Sequence, residues 1–166
     1  MEVELKRNKP GKHLRFTILG EPVSKQSARF KVATKNGKPV QTLTKSGKKR
    51  YKLHKYQEQE KINDEAYVKW TITGQLPFGF KLFTGPIFVT KLHHIFYPPK
   101  NLVKRVEDGE LIYKATRPDL SDNLNKLIFD SMQMIVFKDD SQIVSMNDIK
   151  KYYGLAPQIN IELEER

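Results

Sequence analysis

The chain has 166 residues, of which 38% are hydrophobic and 30% are charged, and this balance suits a globular domain rather than a disordered chain. It contains no cysteine, which excludes disulfides, zinc–thiolate sites and a thiol nucleophile. No apolar run approaches the roughly 20 residues of a membrane span, and the polar N-terminus has no apolar signal core. We therefore expect a cytoplasmic protein that does not engage a membrane.

Basic residues outnumber acidic ones by 30 to 19, and the excess lies in the first third of the chain. Residues 1–55 contain 16 basic and 3 acidic residues, for a net charge of +13, whereas residues 56–166 contain 14 and 16, for −2. Because Lys and Arg displace condensed counterions from phosphates, this asymmetry predicts a polyanionic partner, either DNA or RNA. A basic surface that only improves solubility is the alternative.

The first predicted elements are a strand and a long basic segment. Residues 14–20 alternate apolar and polar side chains, which is typical of a strand. Residues 21–50 are rich in Lys, Gly, Ser and Thr and contain turn signals, so they predict a long loop or a mobile hairpin. We expect this basic segment to bind nucleic-acid phosphates through Lys25, Arg29, Lys31, Lys48, Lys49 and Arg50.

A helix and a central strand are predicted next. No Pro or Gly interrupts residues 51–70, which favours a helix. Ile62, Ala66 and Trp70 follow one another at four-residue spacing and predict one apolar face, with Trp70 in the core. β-branched and aromatic residues dominate residues 86–97, as expected of a strand at the centre of a sheet.

The second half continues with a loop, a helix and two strands. Residues 100–117 are polar and predict a loop, whereas apolar residues recur at helical spacing within residues 121–136. Residues 142–149 and 158–163 predict two further strands. The order is therefore roughly β-α-β-α-β-β, which predicts an α+β fold with a small mixed sheet and helices packed on one side of it. We expect all 166 residues to form a single domain.

Aspartates stand at both ends of the second predicted helix. Asp119 and Asp122 lie at its start, Lys126 follows one turn after Asp122, and Asp139 and Asp140 precede the next strand. Carboxylates beside a lysine suit phosphodiester hydrolysis, because Mg²⁺ binds carboxylate oxygens and a lysine offsets charge on the phosphate. Judged by spacing alone, the favoured roles of these residues are structural, as helix caps, an i,i+4 surface pair and turn residues. The two acidic groups meet only if strand packing returns the second one to the start of the helix.

Three linked motifs lie between residues 117 and 153. The first opens the helix, the second lies within it and the third leads into a strand: Asp122-Asn123 with Lys126, Phe129-Asp130-Ser131-Met132, and Asp139-Asp140-Ser141-Gln142-Ile143-Val144. In residue types and order they resemble the core of the RusA family of Holliday junction resolvases. Residues 21–30 are also similar, more weakly, to the basic segment that follows the first strand in that family.

The resemblance implies a RusA-like nuclease domain. Such a protein is a homodimeric, structure-selective endonuclease that uses Mg²⁺, with Mn²⁺ as the expected substitute, to cut four-way DNA junctions by paired symmetric nicks. The resemblance also implies a bacterial or phage-encoded protein of DNA recombination and repair. Carried over residue by residue, it assigns catalysis with metal ligation to Asp119, Asp122 and Asp140, a catalytic charge-stabilising role to Lys126, and a neighbouring position to Asp139.

The spacing of the first two aspartates departs from the family pattern. The family has one residue between them, whereas Leu120 and Ser121 both stand between Asp119 and Asp122. We expect the chain to bulge here so that Asp119 still reaches the metal; otherwise Asp119 is a spectator. The departure supports a rival interpretation, a non-catalytic DNA- or RNA-binding module that is indifferent to magnesium. A nuclease acting on another branched DNA is the second rival.

Other chemistries find less support in the sequence. His93 and His94 are neighbours in a predicted strand, so their side chains point to opposite faces, and we expect core or sheet-surface roles rather than a shared metal. The serines lack a partnered histidine signature. No P-loop or dinucleotide-binding glycine motif is present, so no nucleotide cofactor is expected.

Overall fold

The structure, a computed structural model, describes residues 13–24, 29–36, 38–56 and 59–166. These residues form two compact units. The larger unit consists of residues 13–24 and Asp64–Arg166, and the smaller unit lies within Gln26–Asn63. The larger unit combines a mixed sheet with a few helices, which confirms the predicted α+β class. The expectation of a single domain stays a prediction.

The described residues form seven strands before the first helix, and helices and four further strands after it. In chain order the elements are β1 (His13–Leu19), β2 (Arg29–Val32), β3 (Thr34–Lys35), β4 (Lys38–Pro39), β5 (Gln41–Leu43), β6 (Lys49–Tyr51), β7 (Leu53–Tyr56), α1 (Gln59–Gln75), β8 (Ile87–Phe96), α2 (Val103–Glu107), a π-helical turn (Leu120–Leu124), α3 (Asn125–Met132), a 3-10 turn (Asp140–Gln142), β9 (Ile143–Met146), β10 (Ile149–Tyr153) and β11 (Gln158–Glu165).

Strand β8 lies at the centre of the sheet in the larger unit. On one side, β11 pairs antiparallel with β8 and then with β1, which gives the order β1-β11-β8-β10. On the other side, β9 and β10 pair in parallel with β8, β9 beside its first residues and β10 beside its last. The predicted central strand over residues 86–97 is thereby confirmed, and most of its side chains are buried.

The strand predicted over residues 142–149 is in fact two strands, with a break at Asn147 and Asp148. Asp148 has a φ of 45°, a left-handed conformation that interrupts an extended strand. The N–H of Asn147 donates to the carbonyl of Val89, and the carbonyl of Asp148 accepts from the N–H of Leu92, so both sides of the break stay attached to β8. Apolar alternation does not reveal such a break, and the sequence therefore predicts one strand.

Helix α1 differs from its prediction in both position and orientation. It begins at Gln59, later than predicted, because strand β7 occupies part of the expected helix. Val68 and Ile72 form its buried face, whereas Ala66 is exposed and Trp70 is 75% exposed, so the prediction of Trp70 in the core is wrong. Residues two positions apart lie on nearly opposite sides of a helix, and packing here selects the compact β-branched pair.

One continuous core joins the sheet to α1 and α3. Helix α3 contributes Leu127, Ile128 and Met132, which are almost or fully buried. Strands β1 and β11 contribute alternate residues, as expected when one face of a sheet covers a core. Helix α2 forms within residues 100–117, which the sequence predicts as a loop, and it buries none of its residues. No helix within the described ranges is long and apolar enough to cross a membrane.

The smaller unit is a set of short antiparallel ladders. β2 pairs with β7, β3 with β4, and β5 with β6. Where the ladders meet, Ala33 N–H donates to Lys52, Val40 N–H donates to Ala33, and Lys52 N–H donates to Val40, at 2.7–2.9 Å. The basic segment therefore contains hairpins, one of the two predicted alternatives. The exposed cations of the smaller unit include Lys35, Lys38, Lys45, Lys48, Lys49, Arg50 and Lys52.

Two glycines of the larger unit should respond in opposite ways to alanine. In Gly74→Ala the new Cβ meets no atom within 4 Å, and alanine has the higher helix propensity. The free energy of unfolding should therefore rise by about 0.5 kcal/mol. In Gly154→Ala the Cβ would lie 2.7 Å from Cγ2 of Ile95, and stability should fall by about 1–3 kcal/mol. Urea unfolding of both variants checks this, and equal effects would contradict it.

Candidate active site

Asp119, Lys126 and Asp140 line one open cleft in the larger unit, with a volume of about 730 Å³. Asn125 and Asp130 of α3 and Lys151 of β10 also line it. Strand packing therefore returns Asp140 to the end of the helix at which Asp119 lies, which is the condition that the predicted site requires.

Asp119 ends an extended segment that leads into the helical region. Its φ is −71° and its ψ is 141°, and its side chain is exposed. The side-chain amide of Asn123 donates from Nδ2 to Oδ2 of Asp119 at 3.4 Å. The ammonium of Lys151 donates to the carbonyls of Thr116 and Pro118, at 2.8 and 2.7 Å. Contacts on both sides of Asp119 thus hold this segment at the cleft.

The π-helical turn Leu120–Leu124 separates Asp119 from α3. The N–H of Leu124 donates to the carbonyl of Asp119 at 3.2 Å, and the N–H of Asn125 donates to the carbonyl of Leu120. Each bond spans five residues instead of the four of an α-helix, so the turn holds one additional residue. The bulge expected between the first two aspartates is therefore present, and α3 follows it as a regular helix.

Asp140 reaches the cleft because the chain turns back after α3 and enters the sheet. Phe137 is fully buried and forms a bridge with Phe83, which anchors the return. The side chain of Gln142 donates from Nε2 to the carbonyls of Phe83 and Gly85, at 3.0 and 3.1 Å. These contacts fix the 3-10 turn next to the start of β8, and Asp140 opens that turn with its side chain exposed.

Asp139 differs from its neighbour because it caps the 3-10 turn. Its Oδ1 accepts from the N–H of Ser141 at 2.9 Å, and the side chain of Gln142 accepts from the N–H of Asp139 at 3.0 Å, which completes a capping box. Hydrogen bonds from Ser141, from its side chain first and its backbone second, lower the pKa of the Asp139 carboxyl. Asp139 is thus a turn residue, whereas Asp140 lines the cleft.

The carboxylates of the cleft suit a hard divalent cation. Asp119 and Asp140 are exposed, and Mg²⁺ in proteins typically uses one or two carboxylates and keeps several waters. Among the described side chains, no three His, Asp or Glu groups could hold a metal by themselves. The third predicted ligand, Asp122, lies in the π-helical turn, but its side chain lies outside the described part of the chain. Metal ligation by these residues stays a prediction.

A buried polar pair stands behind the cleft. Nε2 of the fully buried His94 lies 3.0 Å from Oδ1 of Asn125, the first residue of α3. Burial lowers the pKa of His94 to about 4, so the ring is neutral at pH 7 and donates to this oxygen. His93 instead bonds to Asp148, with Nε2 2.7 Å from Oδ2. The two histidines therefore have core and sheet-surface roles, as predicted.

Two charged residues of the cleft, Asp130 and Lys151, are absent from the predicted site. Asp130 follows Lys126 by four residues and so lies on the same helix face, a spacing from which it could have been found. Lys151 contacts Thr116, which is 35 residues away in sequence, and no local spacing signals such a contact.

Five of the six predicted DNA-binding residues belong to the smaller unit, which lies within Gln26–Asn63. Lys48, Lys49 and Arg50 are exposed on and beside strand β6. Arg29 and Lys31 belong to strand β2, but their side chains lie outside the described part of the chain, as does all of Lys25. Phosphate binding by these residues stays a prediction.

Comparison with known proteins identifies the protein family to which this chain belongs. Residues 20–164, nearly the whole chain, match the family model of the endodeoxyribonuclease RusA. The chain therefore belongs to the RusA family of endodeoxyribonucleases, which are Holliday junction resolvases, and the family expected from the three motifs is confirmed. The protein YqaN of Bacillus subtilis (strain 168) is 27% identical over 158 residues, a match that covers 92% of this chain and 96% of YqaN.

Deleting Ser121 should convert the π-helical turn into an α-helical one and leave the core intact. The thermal midpoint should then fall by only a few degrees, because α3 keeps its orientation. Deleting Asp130 is the matched control, because it rotates the residues that follow by about 100° and moves Met132 out of the core. This deletion should lower the free energy of unfolding by about 2–5 kcal/mol. Circular dichroism and thermal unfolding provide the measurement. Equal destabilisation by both deletions would show that the turn does not absorb the extra residue.

Proposed function

We propose that this protein is a magnesium-dependent endonuclease that resolves four-way DNA junctions by paired symmetric nicks, in DNA recombination and repair. Mn²⁺ is the expected substitute for Mg²⁺. The observation that carries the proposal is the meeting of Asp119, Lys126 and Asp140 in one open cleft, in a chain of the RusA endodeoxyribonuclease family.

The residues of the cleft divide the chemistry between them. Asp119 and Asp140, with Asp122 as the third candidate, would hold the cation through carboxylate oxygens. A bound magnesium ion supplies Lewis-acid polarisation of the phosphate and a water of lowered pKa. Lys126 is exposed on the first turn of α3, from which its ammonium would stabilise charge on the scissile phosphate or the leaving oxygen. The cleft is open, as a site that receives a DNA backbone must be.

The substrate is expected to be held mainly by its backbone. Phosphate contacts from the smaller unit would fix register, while junction shape and deformability would supply selectivity. A four-way junction has two-fold symmetry and needs two matched cuts, which an isologous homodimer with one cleft per subunit would supply.

The rival binding module loses its main support. That interpretation drew on the extra residue between Asp119 and Asp122, because altered spacing would remove Asp119 from the site. The π-helical turn accommodates the extra residue, and Asp119 lines the cleft together with Asp140. A nuclease acting on another branched DNA differs from the proposal only in substrate, so it is an outcome of the same experiment.

Asp140→Asn should abolish magnesium-dependent nicking and spare junction binding. Losing a charged metal ligand removes several kcal/mol of transition-state stabilisation, a rate loss of at least about 100-fold. The matched control is Asp139→Asn, whose amide oxygen can still accept from Ser141 N–H, and it should keep most activity. The measurement compares a labelled four-way junction, a flap and a linear duplex, each with Mg²⁺, Mn²⁺ or chelator.

Each outcome of that comparison has a distinct meaning. Normal cutting by Asp140→Asn would refute the role of Asp140. Preferential cutting of the flap by the wild-type protein would show that the substrate is a flap and not a four-way junction. Tight junction binding without nicks in either metal would favour the binding module.

Replacing Lys48, Lys49 and Arg50 together by Gln should weaken junction binding without changing the rate at saturating DNA. The plot of log affinity against log salt concentration should become flatter by roughly 0.9 for each phosphate that the variant no longer neutralises. Replacing the exposed Lys81, Lys100 and Lys104 of the larger unit is the charge-matched control. Salt titrations of binding measure the slope, and equal flattening by both triple variants would show that these residues contribute only general charge.

A further inference from the structure

Lys151 of β10 joins the sheet to the segment that carries Asp119. Its backbone carbonyl accepts from the N–H of Lys114 at 3.1 Å, and its ammonium donates to the carbonyls of Thr116 and Pro118, at 2.8 and 2.7 Å. The backbone of Lys151 therefore contacts this segment at Lys114. Its side chain contacts the segment again at Thr116 and at Pro118, the residue directly before Asp119.

The chemistry of these bonds explains why a lysine stands at this position. Thr116 and Pro118 present carbonyl oxygens, and an ammonium has three N–H donors at the end of a flexible stem. Bonds from a charged donor are also stronger than neutral ones. Lys151 is half-buried in the wall of the cleft, whereas Lys126 is exposed. Lys126 is thus placed to meet substrate, while Lys151 is bound to the protein itself.

We propose that Lys151 is a positioning residue of the active site, which holds the Asp119 carboxylate where it can bind the metal. This inference rests on the proposed function. Without the ammonium, the segment before Asp119 loses two bonds to the sheet, and the cation must order that segment when it binds. The metal affinity should therefore fall, whereas DNA binding without metal should not change.

Electrostatics alone predicts the opposite result. A positive charge in the wall of the cleft repels a divalent cation, so removing a lysine that is only a neighbour would strengthen metal binding. A positioning lysine strengthens metal binding in spite of its charge, and removing it weakens metal binding. The direction of the change therefore separates the two roles.

The neighbouring lysine provides a matched control. Lys150 is the preceding residue of β10, so its side chain points to the opposite face, where it pairs with Asp148 at 2.5 Å. Lys150→Met removes the same charge from the same strand and leaves the two bonds to Thr116 and Pro118 in place. Lys151→Arg keeps the charge and the donors and should recover most of the function.

The experiment measures Mn²⁺ binding to the DNA-free protein by electron paramagnetic resonance, and the Mg²⁺ concentration that gives half-maximal nicking of saturating junction. Lys151→Met should raise the half-saturating metal concentration in both measurements by about tenfold, as losing an outer-shell partner typically does. Lys150→Met should leave both unchanged. In the Asp119→Asn background, Lys151→Met should add no further loss, because Lys151 acts through Asp119.

The possible outcomes distinguish this proposal from the proposed function. If Lys151→Met binds Mn²⁺ as well as the wild type or more tightly, the positioning role is overturned and the nuclease proposal stands. If the wild type neither binds Mn²⁺ nor nicks a junction with either metal, the proposed function fails and the inference fails with it. Should Lys151→Met not fold, as judged by circular dichroism, Lys151→Gln replaces it, since an amide can still donate to one of the carbonyls.

Discussion

The pairing of β9 and β10 with one edge of β8 is the constraint on which the site depends. Helix α3 carries the chain away from Asp119, and only the return into this edge brings Asp140 back to the same cleft. The burial of Phe137 and the bonds of the Gln142 amide hold that return, so the cleft rests on the same packing as the core. Asp119 and Asp140 are held by separate contacts, those of Lys151 and those of Gln142, on the same side of β8.

The sequence predicts those features that depend on residues close together in the chain. Strand β8 follows from its β-branched and aromatic residues and lies at its predicted position. Helix α3 follows from helical periodicity, but it ends at Met132 and not at the predicted residue 136. The prediction for Trp70 is wrong because its four-residue spacing from Ala66 defines only one possible apolar face, whereas packing against the sheet buries the face with Val68 and Ile72. Lys151 gave no signal because its bonds join residues far apart in the chain, and only the folded sheet brings them together.

Neighbouring residues of one type take different roles in this protein, which limits any assignment from composition. Asp139 uses its carboxylate to cap a turn, while Asp140 is directed to the cleft. In the proposed function electrostatics adds a second requirement, since the carboxylates would have to approach phosphates, which they repel. The cation-rich ladders of the smaller unit would offset that repulsion during capture of DNA, and a divalent ion would offset it at the point of chemistry.

The π-helical turn gives the helix an adjustable joint at its origin. A single residue could leave the chain there while Lys126 and Asp130 keep their places, because a change between a π-helical and an α-helical turn would take up the difference in length. The position of the Asp119 carboxylate would in this way not depend on the positions of Lys126 and Asp130 in α3. Such a turn would allow a lineage to vary the spacing of its first two aspartates without rebuilding its core, and equivalent carboxylates in relatives would then have to be identified by position in space and not by counting residues.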